Sequence, residues 1–177
     1  HITRAVEASL KRLQTDRVEV LFIHKWEDEP PMDEQLRAIE DLVRAGKVLH
    51  MGVSNWAAWQ TMKGMGIQTQ HGWSRIDVLQ PMYNLVKRQA EVELLPMAEA
   101  EGLGVICYSP VGGGLLTGKY RGADAANSGR LVDNKMYSKR YAPDWMFEVA
   151  AAFSGHADQA GVHPVTMALA WAGGHPG

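Results

Sequence analysis

The 177-residue sequence predicts an α/β fold built on a parallel sheet. Three observations carry that expectation. Short apolar runs alternate with helix-period segments about four times, and the crossovers between them are long enough for parallel pairing. The strand candidates are apolar nearly throughout instead of alternating, as strands covered on both faces are. An open doubly wound sheet and a section of an eight-fold barrel both satisfy this pattern, and periodicity alone does not choose between them.

The elements follow in order. Ile2, Val6, Leu10 and Leu13 recur at helical spacing from the first residues, so the chain opens inside an amphipathic helix with no signal peptide or leading strand. Val18–Ile23 reads as a buried strand. Pro30-Pro31 breaks the chain, and Asp33 is the expected N-cap of a helix carrying Leu36, Ile39, Leu42 and Val43, ended by Gly46. Lys47–Ser54 is the next strand, with Asn55 placed to cap a short helix near Trp56. A polar, glycine-containing stretch from Lys63 to Arg75 leads to a third strand, Ile76–Gln80. A helical segment runs from Glu91 to Glu101, where Pro96 demands a kink or a late start. Gly102 closes it, and Leu103–Ser109 is the fourth strand. A long loop from Gly112 to Pro143 precedes two helices, Trp145–Ala160 and Pro164–Ala172. The chain stops just past the second of these, and both ends read as cut.

Composition narrows the function. The chain is 46% hydrophobic and 21% charged, an ordinary globular profile. A net charge of −2 and a pI near 6.4 provide no basic field, which argues against nucleic acid. No apolar run reaches the roughly 18 residues of a membrane span. Cys107 is the single cysteine; it sits in an apolar run, reads as a buried inert thiol, and fits a reducing, cytoplasmic compartment.

In either architecture, functional groups gather where strands end. The endings here are His24, then Ser54-Asn55, then Gln80, then Tyr108-Ser109-Pro110. A lone histidine ending a strand is more often a structural hydrogen-bonder, and Asn55 alone could be a helix cap. Four polar endings in succession point instead to one face built for a polar ligand.

These residues carry a resemblance. His50-Met51-Gly52-Val53-Ser54-Asn55-Trp56 resembles the internal signature of the aldo-keto reductases. So do Leu21–His24, Leu79–Asn84 and the run Tyr108–Tyr120, all in family order and at family-like spacing. The likeness is greatest to the branch of bacterial general oxidoreductases and potassium-channel β-subunits. It implies a (β/α)8 TIM barrel, partial here, covering about strands 4 to 7, with residues 1–177 a single incomplete domain that lacks the first strands and the eighth.

The resemblance further implies NADPH-dependent reduction of a small-molecule carbonyl, an aldehyde or ketone. His24 matches the histidine that shapes the carbonyl site, where an imidazole donates to the carbonyl oxygen. Ser54, Asn55 and Gln80 match the residues that hold the nicotinamide carboxamide. That pairing is chemically sensible, since Asn and Gln offer both donors and acceptors. Tyr108 matches the aromatic that stacks on the nicotinamide ring. Ser109, Pro110, Val111, Gly112 and Gly113 match the segment wrapping the pyrophosphate, where glycines permit close backbone approach. Lys119 and Arg130 match basic residues near the phosphates; a solvated loop charge is the plain alternative for both. The family's acidic Tyr and its supporting Lys and Asp lie on earlier strands, so Tyr83, Tyr108 and Lys119 are not promoted into those roles. Without them, residues 1–177 are not expected to turn over alone. His50 and Trp56 depart from the usual signature without removing a cofactor donor. Trp26 and Trp56 are candidate contributors to a substrate pocket.

Three rivals stand beside this reading. Gly113 through Gly118-Lys119 fits the phosphate-loop pattern G-x-x-x-x-G-K, but Tyr120 stands where that motif needs Ser or Thr for Mg²⁺. A non-catalytic NADP(H)-binding subunit of the same family would present the same residues. His71, His156, His163 and His175 show no ligand spacing with cysteine or carboxylates, and read as surface or loop histidines.

Overall fold

The computed structural model describes residues 1–120 and 127–175. They fall into two compact units, His1–Pro81 with Glu93–Ile106, and Met82–Val92 with Cys107–Gly177.

The first unit holds four parallel strands, β1 (Val18–Ile23), β2 (Val48–Ser54), β3 (Ile76–Gln80) and β4 (Gly104–Val105), in the order β1-β2-β3-β4. Sequence order and spatial order coincide with no reversal, as along the wall of a barrel. Helix α1 (Ile2–Leu13) leads into β1, and helices α2 (Met32–Arg44), α3 (Ala58–His71) and α4 (Leu94–Glu101) fill the crossovers. Leu36 and Ile39 of α2 pack on Met51 and Val53 of β2, with Trp56, Ile76, Leu79, Ala98 and Leu103 completing that core. Val6 and Leu10 of α1 meet Leu42 and Val48 in a second cluster.

Four local expectations need correction. Asp33 is not the N-cap of α2. Pro31 takes that place, and Asp33 and Glu34 sit in the first turn, where carboxylates favour the positive end of the helix.

Asn55 does not cap the next helix either. That helix is not short: α3 has 14 residues and runs through much of the stretch read as polar and loop-like. Its start is secured by Gln60, whose Oε1 accepts from the Ala57 amide at 2.8 Å. The polar residues that disguise it are satisfied inside the fold. Gln68 is buried, donating to Met51 Sδ and accepting from the Ile76 amide at 3.0 Å.

The fourth strand is shorter than Leu103–Ser109. Ladder pairing with β3 is confined to Gly104–Val105, followed by a bond from the Ile106 amide to Leu79 O, while Tyr108 bridges Met82. The region 112–143 is also not a plain loop. It contains a 3₁₀ segment, Gly112–Thr117, and two short helices, α5 (Arg130–Asp133) and α6 (Lys135–Arg140).

Pro96 marks a late start. It is the third residue of α4, after a 3₁₀ turn at Gln89–Glu91, and a first-turn position needs no N–H. In the second unit, α7 (Asp144–Gln159) and α8 (Pro164–Gly173) enclose Val86, Leu115, Leu116, Leu131, Tyr141, Met146, Ala150 and Ala168. His163 is the N-cap of α8, its Nδ1 accepting from the Val165 amide.

Candidate functional site

In the first unit the polar strand endings are joined by hydrogen bonds. Ser54, the last residue of β2, is buried, and its Oγ donates to the Gln80 carbonyl at the end of β3 at 2.9 Å. Asn55 follows with φ 57, in the left-handed region that Asn tolerates better than most residues. Its Nδ2 donates to the His24 carbonyl just past β1 at 2.8 Å and to Ser54 Oγ at 3.1 Å. The ends of β1, β2 and β3 are thereby tied together.

The half-buried side-chain amide of Gln80 makes no hydrogen bond to another described residue, so it presents one donor group and one acceptor to a ligand. The His24 imidazole is exposed at the rim of a groove of about 820 Å³ lined by α1, β1 and α2, including Val6, Leu21, Ile23 and Ile39.

Three indoles lie beside these endings. Trp26 meets Trp56 edge to face at 5.0 Å and Trp59 at 5.7 Å, and its Nε1 donates to Asp28 at 2.9 Å. Trp56 is 5% exposed and belongs to the hydrophobic core, whereas Trp59 is 60% exposed.

In the second unit Tyr108 is half-buried, and burial raises its hydroxyl pKa against the opposing effect of Arg140. Ser109 has φ 57, and Gly112 and Gly113 follow at φ 61 and 67. These residues form a tight turn, closed by the Gly112 amide donating to the Ser109 carbonyl at 2.9 Å. A Cβ on Gly113 would stand 2.7 Å from the Tyr137 ring, so only glycine fits there.

Lys119 Nζ lies over the Tyr120 ring at 4.8 Å, and the Arg130 guanidinium over Tyr137 at 5.0 Å. Gly129 makes room for Lys119, since a Cβ there would lie 2.6 Å from Nζ. Among the described residues neither Lys119 nor Arg130 forms an ion pair with a carboxylate. No group of three or more His, Cys, Asp or Glu among the described residues could hold a metal, and no described helix is long and apolar enough to cross a membrane.

The model of the Aldo/keto reductase family matches residues 1–177. The chain belongs to the aldo/keto reductase family. Its four parallel strands are an arc of the (β/α)8 barrel of that family. The human protein "Aldo-keto reductase family 7 member A3" is 39% identical over 149 residues, 81% of this chain and 45% of its own length. "Aflatoxin B1 aldehyde reductase member 2" of Mus musculus is 38% identical over 156 residues, 85% of this chain and 42% of its own. "Probable voltage-gated potassium channel subunit beta" of Arabidopsis thaliana is 33% identical over 179 residues, 99% of this chain and 55% of its own. The aldo/keto reductase chain therefore spans about half the length of the relatives it matches.

Reading the sequence alone misses Asn84 and Tyr141. Both are almost wholly buried, 57 positions apart, and hydrogen-bonded to each other beside the Ser109 turn. The one signal available was a polar amide, Asn84, within an otherwise apolar stretch closely following a strand.

Proposed function

We propose that the full protein containing this chain reduces an aldehyde or ketone to the alcohol with NADPH, and that His24 shapes the carbonyl site. The observation that carries the reading is the chain of hydrogen bonds from His24 O through Asn55 and Ser54 to Gln80 O, beside a Gln80 amide left open to a ligand. The donor set fits the cofactor. A carboxamide takes one donor and one acceptor, which Gln80 offers. The phosphates need cations without carboxylate partners, which Lys119 and Arg130 are among the described residues.

When bound, the reduced nicotinamide supplies a hydride. The residues of this chain bind and orient: Ser54, Asn55 and Gln80 toward the carboxamide, Tyr108 against the ring, and Ser109, Pro110, Val111, Gly112, Gly113, Lys119 and Arg130 toward the phosphates. The His24 imidazole donates a hydrogen bond to the substrate carbonyl oxygen and so favours the charge that develops there. On this reading residues 1–177 form one incomplete barrel domain and do not turn over alone, and the protein works in the cytoplasm.

The test is consumption of NADPH by the full-length protein with an aromatic aldehyde such as 4-nitrobenzaldehyde. Turnover that falls at least tenfold on His24→Ala is the expected result. Binding of NADPH without turnover on any of a panel of aldehydes and ketones would leave the non-catalytic subunit reading, in keeping with the channel-subunit relative. No binding would overturn both.

A further inference from the structure

We propose that Asn84 is a positioning residue for the glycine turn of the second unit, acting together with Tyr141, so that the geometry offered to the cofactor pyrophosphate is set from beneath by one buried amide. The proposal rests on the cofactor reading given above. The Asn84 side chain is fully buried, and both its amide donors and its oxygen have partners within this one unit. Its Oδ1 accepts from the Val86 amide at 3.1 Å, which fixes the side chain on its own tight turn. Its Nδ2 donates to the Ser109 carbonyl at 2.9 Å and to Tyr141 Oη at 3.2 Å.

The Ser109 carbonyl is the pivot of the turn. It accepts from the Gly112 amide at 2.9 Å as well as from Asn84, so both of its lone pairs are engaged. Ser109 itself is held at φ 57, a conformation that a residue with a Cβ keeps only when its surroundings enforce it. The Asn84 bond is the side-chain contact that enforces it.

Tyr141 completes the support. Its hydroxyl accepts from Asn84 and donates to Met82 Sδ at 3.7 Å, and its ring is 1% exposed. A Cβ on Gly112 would lie 3.6 Å from that ring, and Tyr137 stacks on Tyr141 at 6.4 Å while backing Gly113. Two stacked tyrosines therefore floor the two glycines, and Asn84 locks one tyrosine to the turn's first carbonyl. A contact serving only the core would not need to end on a left-handed residue of the ligand loop.

The experiment uses the full-length protein and NADPH, titrated by the nicotinamide fluorescence change, with thermal melts recorded in parallel. Asn84→Asp keeps the acceptor toward Val86 and, when ionised, loses both donors. Affinity is expected to fall at least tenfold near neutral pH. It recovers toward wild type as pH falls and the buried carboxyl takes up a proton, which lets it donate to Ser109 again. Tyr141→Phe, which leaves Asn84 its bond to Ser109, is expected to weaken binding by about threefold with no pH-dependent recovery.

A wild-type protein that binds no NADPH overturns the cofactor reading itself. Wild-type protein that binds, with Asn84→Asp matching it at every pH, overturns the role of Asn84 alone. So does a loss of affinity in Asn84→Asp that follows the unfolded fraction or shows no recovery relative to wild type in acid.

Discussion

Asn55 Nδ2 lies 2.8 Å from the carbonyl oxygen of His24, joining the residues that directly follow β2 and β1 across 31 positions of sequence. The bond has two consequences. It holds Asn55 at φ 57, and it sets the direction in which the chain leaves β1 toward the His24 imidazole. Asn55→Ala removes the bond and places a residue poorly suited to positive φ at that turn. We expect a loss of about 1–2 kcal/mol in stability, read as a lower urea midpoint with an unchanged slope. Asn55→Gly, which relieves the backbone but not the lost bond, is expected to lie between the variant and wild type.

Gln80 serves as a separate test, because its side chain makes no hydrogen bond to another described residue while its backbone carbonyl accepts from Ser54. Gln80→Ala is expected to leave the melting temperature of the full protein nearly unchanged. NADPH affinity should drop by about 1–3 kcal/mol, the cost of leaving a buried ligand amide without its partner. Equal affinity in a fluorescence titration removes Gln80 from the site.

Gly52 on β2 lies directly under the Phe22 ring, and a Cβ there would approach a ring carbon to 2.4 Å. Phe22 and Gly52 are register partners in the β1–β2 ladder, so a Cβ on Gly52 forces the ring to shift. Gly52→Ala should cost about 1–3 kcal/mol by overpacking. Gly52→Ala combined with Phe22→Leu should recover part of that loss, which a double-mutant cycle by chemical denaturation measures.

The strands were the most legible part of the fold. β1 and β3 occupy Val18–Ile23 and Ile76–Gln80 as read from their apolar runs, and β2 differs from its expected span only at Lys47. Their signal is local, because a short apolar run is recognised without reference to any distant partner. The helix α3 was obscured for the opposite reason. Thr61 and Gln68 are buried polar residues whose partners are Ala57 O for one, and Met51 and the Ile76 amide for the other. The Gln68 bonds reach other elements, and tertiary bonds of that sort leave no periodic trace.

The same limit applies to the candidate site. His24, Ser54, Asn55 and Gln80 were visible as polar endings, but the bonds from Ser54 to Gln80 and from Asn55 to His24 join positions separated by 26 and 31 residues. Asn84 and Tyr141 are further apart still, and neither announces the other.

Acid should loosen each unit through one carboxylate. Glu91 is held below its ordinary pKa by hydrogen bonds from Arg88 and Tyr83, against a smaller opposing effect of burial. For Glu40 burial raises the pKa, but the Ser74 amide and Arg44 outweigh it, and the net shift is also downward. A carboxyl whose folded pKa is depressed adds stability above its unfolded value near 4.5, and that stability is lost as pH falls through the folded pKa. Denaturation midpoints should therefore be flat at neutral pH and fall below about pH 4.5. Glu91→Gln should flatten part of that acid slope; an identical slope in the variant would show that Glu91 does not contribute.

The indole cluster beside His24 makes this corner of the molecule optically distinct. With ring centres 5.0 and 5.7 Å apart, Trp26, Trp56 and Trp59 are close enough for their excited states to couple, so they absorb and emit as an ensemble. Coupled indoles at a fixed angle also produce a paired near-ultraviolet circular dichroism signal that vanishes when one ring swings away. Trp26 stands two residues beyond His24 on the loop leaving β1, so any rearrangement of that loop changes the colour and handedness of the protein's own light, without an added label.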